Sequence, residues 1–188
     1  MAADGGAFDF IVVGAGSAGC AVAGRLSESG RYSVLLLEAG PQDKAFWIGV
    51  PLGFPMLFTD ARVNWMFETE PEPNLRNRRN YMPRGKVLGG SSAINGMVYM
   101  RGHARDYDLW RQKGCVGWGY EDVLPYFRKS EDQERGEDEY HGVGGPLAVT
   151  DQRIRSEIGE AAVAAAQQAG IPFTPDFNGA QQEGAGYY

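Results

Sequence analysis

Residues 8–40 read FDFIVVGAGSAGCAVAGRLSESGRYSVLLLEAG. The apolar run from Phe8 to Val13 predicts a strand. The turn GAGSAG, Gly14 to Gly19, follows it and opens a small-residue helix in which Val22 and Leu26 recur at helical spacing. SVLLL then predicts a second strand, apolar throughout, as in a parallel sheet covered on both faces. Strand, turn, helix, strand and acid together make a cradle for a nucleotide. Gly14 lets the chain turn sharply out of the strand, Gly16 lets backbone approach a pyrophosphate, and Gly19 lets helix and strand pack closely. Amides at the helix start then face the phosphates. Glu38 lies 19 residues beyond Gly19, where a carboxylate accepts hydrogen bonds from a ribose diol and repels a 2′-phosphate. Glycine-rich turns also occur without a ligand, so it is the flanking strands and the acid that carry the reading. The cradle does not distinguish NAD from FAD.

The composition is that of a globular chain with room for one real core: 188 residues, 43% hydrophobic and 22% charged. Its 27 glycines point to tight turns and close backbone approaches. A net charge of −6 argues against a nucleic-acid partner. MAADGGAFD has no basic region followed by an apolar core, so no secretory signal is read and a cytoplasmic location is the expectation. Cys20 and Cys115 have neither metal-ligand nor disulfide spacing and read as packing residues. The uncharged run Ala45 to Phe58 is broken by Gly49, Pro51, Gly53 and Pro55 and is too short to span a bilayer. It reads as a buried or pocket-lining loop, with a membrane-contacting surface as the lesser alternative.

After Glu38, Ala39-Gly40-Pro41 ends the strand. Few periodic elements follow up to Pro83, although Trp65 and Phe67 alternate with polar neighbours in NWMFETEP over a short predicted strand. Arg76, Arg78 and Arg79 read as a solvated charged face, while Arg84 could neutralise a diphosphate. Residues 84–102 read RGKVLGGSSAINGMVYMRG. Gly89-Gly90-Ser91-Ser92 offers amides and hydroxyls without bulk, suited to a phosphate or a planar ring, or equally to a serine-capped glycine turn.

This second stretch resembles the first signature of the glucose–methanol–choline (GMC) family of flavin oxidoreductases through Gly85, Lys86, Leu88, Gly89, Gly90, Ser91, Ser92, Ile94, Asn95 and Tyr99. The resemblance extends through LLLEAGP, NWMFETEP, DYDLW, GWGYEDVLPYFRKSED, YHGVGGPL and DFNGAQQEGAGYY, and looks most like the choline-dehydrogenase-like and alcohol-dehydrogenase-like branch. It implies an α/β, Rossmann-like FAD-binding domain, three-layered with a mostly parallel sheet, over residues 1–150, and the start of a substrate-binding domain over 151–188. It also implies that Gly14, Gly16, Ser17, Ala18 and Gly19 surround the pyrophosphate, that Glu38 holds the adenosine ribose, and that Ala39 lies near the adenine. Leu88, Gly90 and Ser91 would run along the ribityl and diphosphate portion, and Asn95, Gly96, Met97 and Val98 would meet the flavin ring. Where some members carry a flavin-linking histidine this chain has Ile94, so the FAD is expected to be non-covalent.

Beyond Gly102, amphipathic helices are predicted over Asp106–Lys113 and Glu121–Lys129, with Val123, Leu124 and Phe127 on one face. The acidic run Ser130 to Tyr140 lacks metal-ligand spacing and reads as a solvated loop. His103 and His141 have no catalytic pattern around them. Gly142 to Thr150 predicts a turn and a short strand, and Ser156 to Ala169 a helix stopped at Gly170. The resemblance implies oxidation of the CH–OH group of a small alcohol by hydride transfer to flavin N5. It places the catalytic histidine pair, or His and Asn, beyond Tyr188, in the remaining part of the same enzyme. Alone, these residues are then expected to fold poorly and to be inactive. A non-redox flavin-containing lyase of the same family and a non-catalytic dinucleotide-binding fragment are the alternatives.

Overall fold

The computed structural model describes residues 6–188. The chain divides into two compact units, Met1–Met97 and Val98–Tyr188.

In the first unit, strand β1 (Phe10–Val13) pairs in parallel with β2 (Val34–Leu37), Phe10 opposite Val34 and Val13 opposite Leu37. Helix α1 (Ser17–Ser27) connects them. Its small residues allow a close approach to the sheet, and the ladder runs on into the turn, where the Gly14 amide donates to the Leu37 carbonyl at 2.7 Å. Ile11 and Val13 remain 60% and 82% exposed. The double cover predicted from the apolar strands is therefore not supplied by residues of this unit.

The excursion after β2 is more ordered than its proline and glycine punctuation predicts. Two 3-10 turns, Phe46–Gly49 and Pro51–Gly53, lead into a single helical turn, α2 (Phe54–Leu57). A small core forms here from Leu57, Val63, Val87 and Ile94, with Ala45, Ile48 and Ala93 packed against it. Each such aliphatic side chain contributes about 1.5–3 kcal/mol when fully buried. Phe46 and Leu52, in contrast, stay on the surface, so the loop read as buried is buried only in part. Strands β3 (Phe67–Glu68) and β4 (Tyr81–Met82) form an antiparallel ribbon. Buried Asn64 ties the ribbon to the core, donating to the Phe58 carbonyl at 2.9 Å and accepting from the Met66 and Arg84 amides at 3.0 and 3.1 Å. At the ribbon's tip Arg76, Arg78 and Arg79 are exposed.

The second unit contains α3 (Ala104–Gln112) and α4 (Tyr120–Ser130). His103 caps α3: its Nδ1 accepts from the Arg105 amide at 3.1 Å, and its own amide donates to Asp106 at 3.0 Å. Leu124 is the buried residue of α4, and Tyr107 packs edge-on against Phe127, 5.8 Å between centroids. Strand β5 (Glu131–Gln133) pairs in parallel with β6 (Leu147–Val149). Helix α5 (Glu157–Gln168) is capped by Ser156, whose hydroxyl accepts from the Gly159 amide at 3.1 Å.

Two sequence expectations are corrected. The acidic run after Ser130 is not all solvated loop: it opens with β5, and Glu131 is completely buried. An acidic stretch reads as solvated only while no partner is folded against it, and here the Arg101 guanidinium and the His141 ring are. Cys20 and Cys115, read as packing residues, are both exposed. Among the described residues no helix is long and apolar enough to cross a membrane.

Candidate functional site

The glycine turn between β1 and α1 is shaped by backbone that only glycine tolerates well. Gly14 sits at φ +93°, and a Cβ on Gly19 would fall 1.8 Å from the Gly14 carbonyl oxygen. The turn is braced by a carboxylate, because Glu38 at the end of β2 accepts from the Ala15 amide at 2.8 Å and from the Gly40 amide at 2.9 Å. No side chain caps the start of α1, and no acidic residue lies in its first turn. Its leading amides and the positive end of its dipole are therefore available to an anion.

A second glycine loop meets the first. The Gly89 amide donates to the Ala15 carbonyl at 2.8 Å, and a Cβ on Gly90 would stand 2.7 Å from the Gly16 Cα. The Ser17 and Ser92 hydroxyls touch across the junction, and the Ser91 hydroxyl accepts from the Gly85 amide at 3.1 Å. Two backbone segments that each exclude a side chain thus form the wall of one cleft.

That cleft has a volume of about 930 Å3. It gathers most of the predicted site residues: Gly14, Gly16, Ser17, Ala18, Gly19, Glu38, Ala39, Gly90 and Ser91 all line it. Leu88, Asn95, Gly96 and Met97 do not line it and carry exposed surface. The Asn95 side chain accepts from the Met97 amide at 3.0 Å and holds Met97 at φ +60°. That left-handed conformation costs a non-glycine residue about 1–2 kcal/mol. Val98 belongs to the second unit and is exposed.

Six lining residues were not assigned to the site from sequence alone: Val13, Leu37, Trp65, Phe67, Gly85 and, beyond its possible role at a diphosphate, Arg84. Trp65 and Phe67 stack at 5.7 Å with their planes 6° apart, and the Lys86 ammonium lies 4.8 Å from the Trp65 ring centroid. The alternation in NWMFETEP predicted one short strand through both residues, but the strand begins at Phe67 and Met66 sits at φ +58°, so the two rings stack across a left-handed residue and not along an extended pleat. The result is a cleft with an amide-lined, anion-attracting end and a flat aromatic wall. Those features fit a phosphate-containing ligand that also carries planar rings. Among the described residues no group of three or more His, Cys, Asp or Glu is placed to hold a metal ion.

A family model described as GMC oxidoreductase matches residues 8–188. The chain is 51% identical over 181 residues to an oxygen-dependent choline dehydrogenase of Vibrio vulnificus (strain YJ016), covering 95% of this chain and 32% of the relative. It is 48% identical to the mitochondrial choline dehydrogenase of Mus musculus, covering 96% and 31%. Among solved structures, pyridoxine 4-oxidase from Mesorbium loti superposes with a TM-score of 0.87 at 35% identity, over 94% of this chain and 35% of that one. An FAD-dependent oxidoreductase from Chaetomium thermophilum superposes with a TM-score of 0.81 at 30% identity, over 95% and 32%. The chain spans about a third of the length of the relatives it matches. With two glycine loops joined at one cleft and a family match over nearly its whole length, the chain belongs to the GMC oxidoreductase family.

Proposed function

We propose that this chain is the FAD-binding part of a flavin-dependent oxidoreductase that acts on the CH–OH group of a small alcohol. One observation carries the reading. The glycine turn after β1, the carboxylate at the end of β2 and the loop from RGKVLGGSS line a single cleft in which a Cβ at Gly90 would collide with Gly16. In this reading Gly14, Gly16, Ser17, Ala18 and Gly19 receive the pyrophosphate with the α1 dipole behind it, and Glu38 retains lone pairs for the ribose hydroxyls. Ala39 lies by the adenine, and Leu88, Gly90 and Ser91 follow the central part of the cofactor. Asn95, Gly96, Met97 and Val98 present the flavin ring to the substrate side.

When bound, FAD would supply the hydride acceptor, at its N5, for oxidation of the alcohol. The chain's own contribution is to bind, to orient and to supply positive potential near the phosphates. Non-covalent attachment is supported by Ile94, an aliphatic residue packed into the core with Leu57, Val63 and Val87, which offers no nucleophile to the flavin. His103 caps α3 and His141 is buried between carboxylates, so neither is assigned as the base that takes the alcohol proton. That residue belongs to the remaining part of the enzyme. The same part completes the three-layer sheet over the exposed faces of β1 and β2, with residues 1–150 in the FAD domain and 151–188 opening the substrate domain. The names of the relatives make choline the first alcohol to try.

The test is made on the full-length protein that carries this chain. Its absorption spectrum should show flavin bands that leave with the small-molecule fraction on denaturation, and anaerobic addition of choline or another small alcohol should bleach them. A purified protein without flavin would refute the cofactor assignment. Bands that stay with the denatured polypeptide would refute non-covalent attachment.

A further inference from the structure

Two of the six asparagines of this chain precede glycine, Asn95 before Gly96 and Asn178 before Gly179, and the fold holds them differently. Asparagine before glycine is a place where a chain can react with itself. The backbone nitrogen of the next residue closes a five-membered ring on the side-chain carbonyl carbon, and glycine puts no Cβ in the way.

In the first unit, Asn95 and Gly96 are both exposed. Asn95 Oδ1 accepts the Met97 amide at 3.0 Å. That donor points at the oxygen on which negative charge develops when a nucleophile adds to Cγ, as the donors of an oxyanion hole do. Among the described residues, neither Asn95 Nδ2, which must leave, nor the Gly96 amide, which must lose its proton, has a hydrogen-bond partner. Space is open as well, since a Cβ on Gly96 would meet nothing nearer than the Phe54 ring at 3.9 Å.

In the second unit the same dipeptide is held shut. Asn178 Oδ1 accepts from the Arg101 amide at 2.8 Å and its Nδ2 donates to the Tyr99 carbonyl at 3.0 Å, so both ends of the side chain are fixed. Its own amide donates to Asp176 at 2.8 Å. Ring closure would require both side-chain bonds to open first, which slows it about tenfold or more.

We propose that Asn95–Gly96 is a self-modification site: in the flavin-free protein Asn95 deamidates through a cyclic imide to aspartate and isoaspartate, and the bound cofactor closes the site. Only water and solvent base are consumed. Base takes the Gly96 amide proton, the nitrogen bonds to Asn95 Cγ, and the Cγ–Nδ2 bond breaks as ammonia leaves with a proton from water. Water then opens the imide at either carbonyl, with no oxidation or reduction at any step. Both products place a carboxylate in the segment read as facing the flavin, and isoaspartate also adds a carbon to its main chain. Protection by the cofactor rests on that reading. A chain left without flavin thus loses, by its own chemistry, the means to take flavin back.

The experiment uses the full-length protein, with FAD bound and after its removal. Samples are held in mildly alkaline buffer, and the peptides carrying Asn95 and Asn178 are followed by mass and by enzymatic methylation of isoaspartate. In the folded apoprotein Asn95 should convert at least tenfold faster than Asn178, while in urea the two should convert at comparable rates. Bound FAD should slow conversion at Asn95 at least tenfold. In the apoprotein, Gly96→Ala should slow it by a similar factor, because the added methyl shields the nitrogen. Aged wild-type apoprotein should lose FAD-binding capacity in proportion to the Asn95 converted. Conversion at Asn95 no faster than at Asn178 in the folded apoprotein would overturn the inference and leave the cofactor reading standing. Equal conversion with and without bound FAD would overturn the protection and, with it, the placement of Asn95 at the flavin. A wild-type protein without flavin would overturn the cofactor reading itself.

Discussion

Glu38 accepts the Ala15 amide at 2.8 Å across the mouth of the glycine turn, so the acid predicted to hold a ribose also holds the loop that receives the phosphates. One carboxylate thereby links the two ends of the adenosine-diphosphate cradle. Its second oxygen bonds the Gly40 amide at 2.9 Å, where β2 gives way to the excursion.

Removing that carboxylate should cost more than a single ligand contact. Hydrogen bonds to charged groups contribute about 1.5–3 kcal/mol. Glu38→Ala in the full-length protein should therefore weaken FAD binding about tenfold to a hundredfold, measured by titrating the apoprotein and following flavin fluorescence. Glu38→Gln, which keeps one acceptor oxygen, should lose less. Equal affinity in wild type and Glu38→Ala would show that the carboxylate braces nothing the cofactor uses.

The junction of the two glycine loops has no room for a methyl group. Gly90→Ala would set a Cβ 2.7 Å from Gly16 at a residue already at φ +57°. Overpacking and a disfavoured φ together cost about 2–5 kcal/mol. The variant should purify with little or no flavin and melt earlier. Gly24→Ala, where a Cβ meets nothing within 4 Å, is the matched control on α1 and should behave as wild type or be slightly more stable.

The aromatic wall should be visible by its own emission. Trp65 stacks on Phe67 and lies under Lys86, and it lines the cleft, so FAD binding should quench it. In Trp65→Phe the quench on adding FAD to the apoprotein should shrink. The loss of indole stacking and of the cation–π contact should lower stability by about 1 kcal/mol. A full-sized quench in Trp65→Phe would remove Trp65 from the site.

Acid should loosen the second unit through Asp138 and Asp151. Burial pushes the Asp138 carboxyl up, but hydrogen bonds from the Tyr140 and His141 amides and the charges of His141 and Arg128 outweigh it, leaving it below the ordinary value. The hydrogen bond from the Arg135 side chain, 2.7 Å from Nε, lowers Asp151 against a smaller opposing effect of burial. Both carboxyls are thus depressed in the folded state. The stability they lend is full above the ordinary carboxyl range, about pH 4, and is lost as pH falls through their lowered values. Chemical unfolding followed from pH 6 to pH 3 should show a fall that is smaller in Asp138→Asn. An identical fall in that variant would place the acid sensitivity elsewhere.

How much could be read in advance follows the range of each interaction. β1, the glycine turn, α1 and β2 were legible because their signals are contiguous: an apolar run, glycines at fixed offsets and an acid at a set distance. The helices α3, α4 and α5 were legible within a residue or two, since caps and apolar spacing lie inside each helix. Trp65 and Phe67 were predicted to alternate with polar neighbours in one short strand, but not to form a wall of the cleft, because nothing local says that Met66 turns left-handed or which loops fold back beside them. Glu131 was misjudged for the same reason. A glutamate in an acidic run is buried only when a partner 30 residues earlier, Arg101, arrives to neutralise it.

Local order along the chain was therefore sufficient for the βαβ cradle, for the covering helices and for the resemblance that names the family. Two things depended on the folded molecule: the meeting of Gly16 with Gly90, which turns two separate glycine motifs into one cleft, and the hydrogen bonds by which the Asn178 and Gln182 side chains hold the backbone of Tyr99 and Arg101. Both join residues some 75 to 80 positions apart in the chain. Contacts at that separation leave no periodicity in the sequence, because each partner satisfies only its own local rule until packing brings the two together.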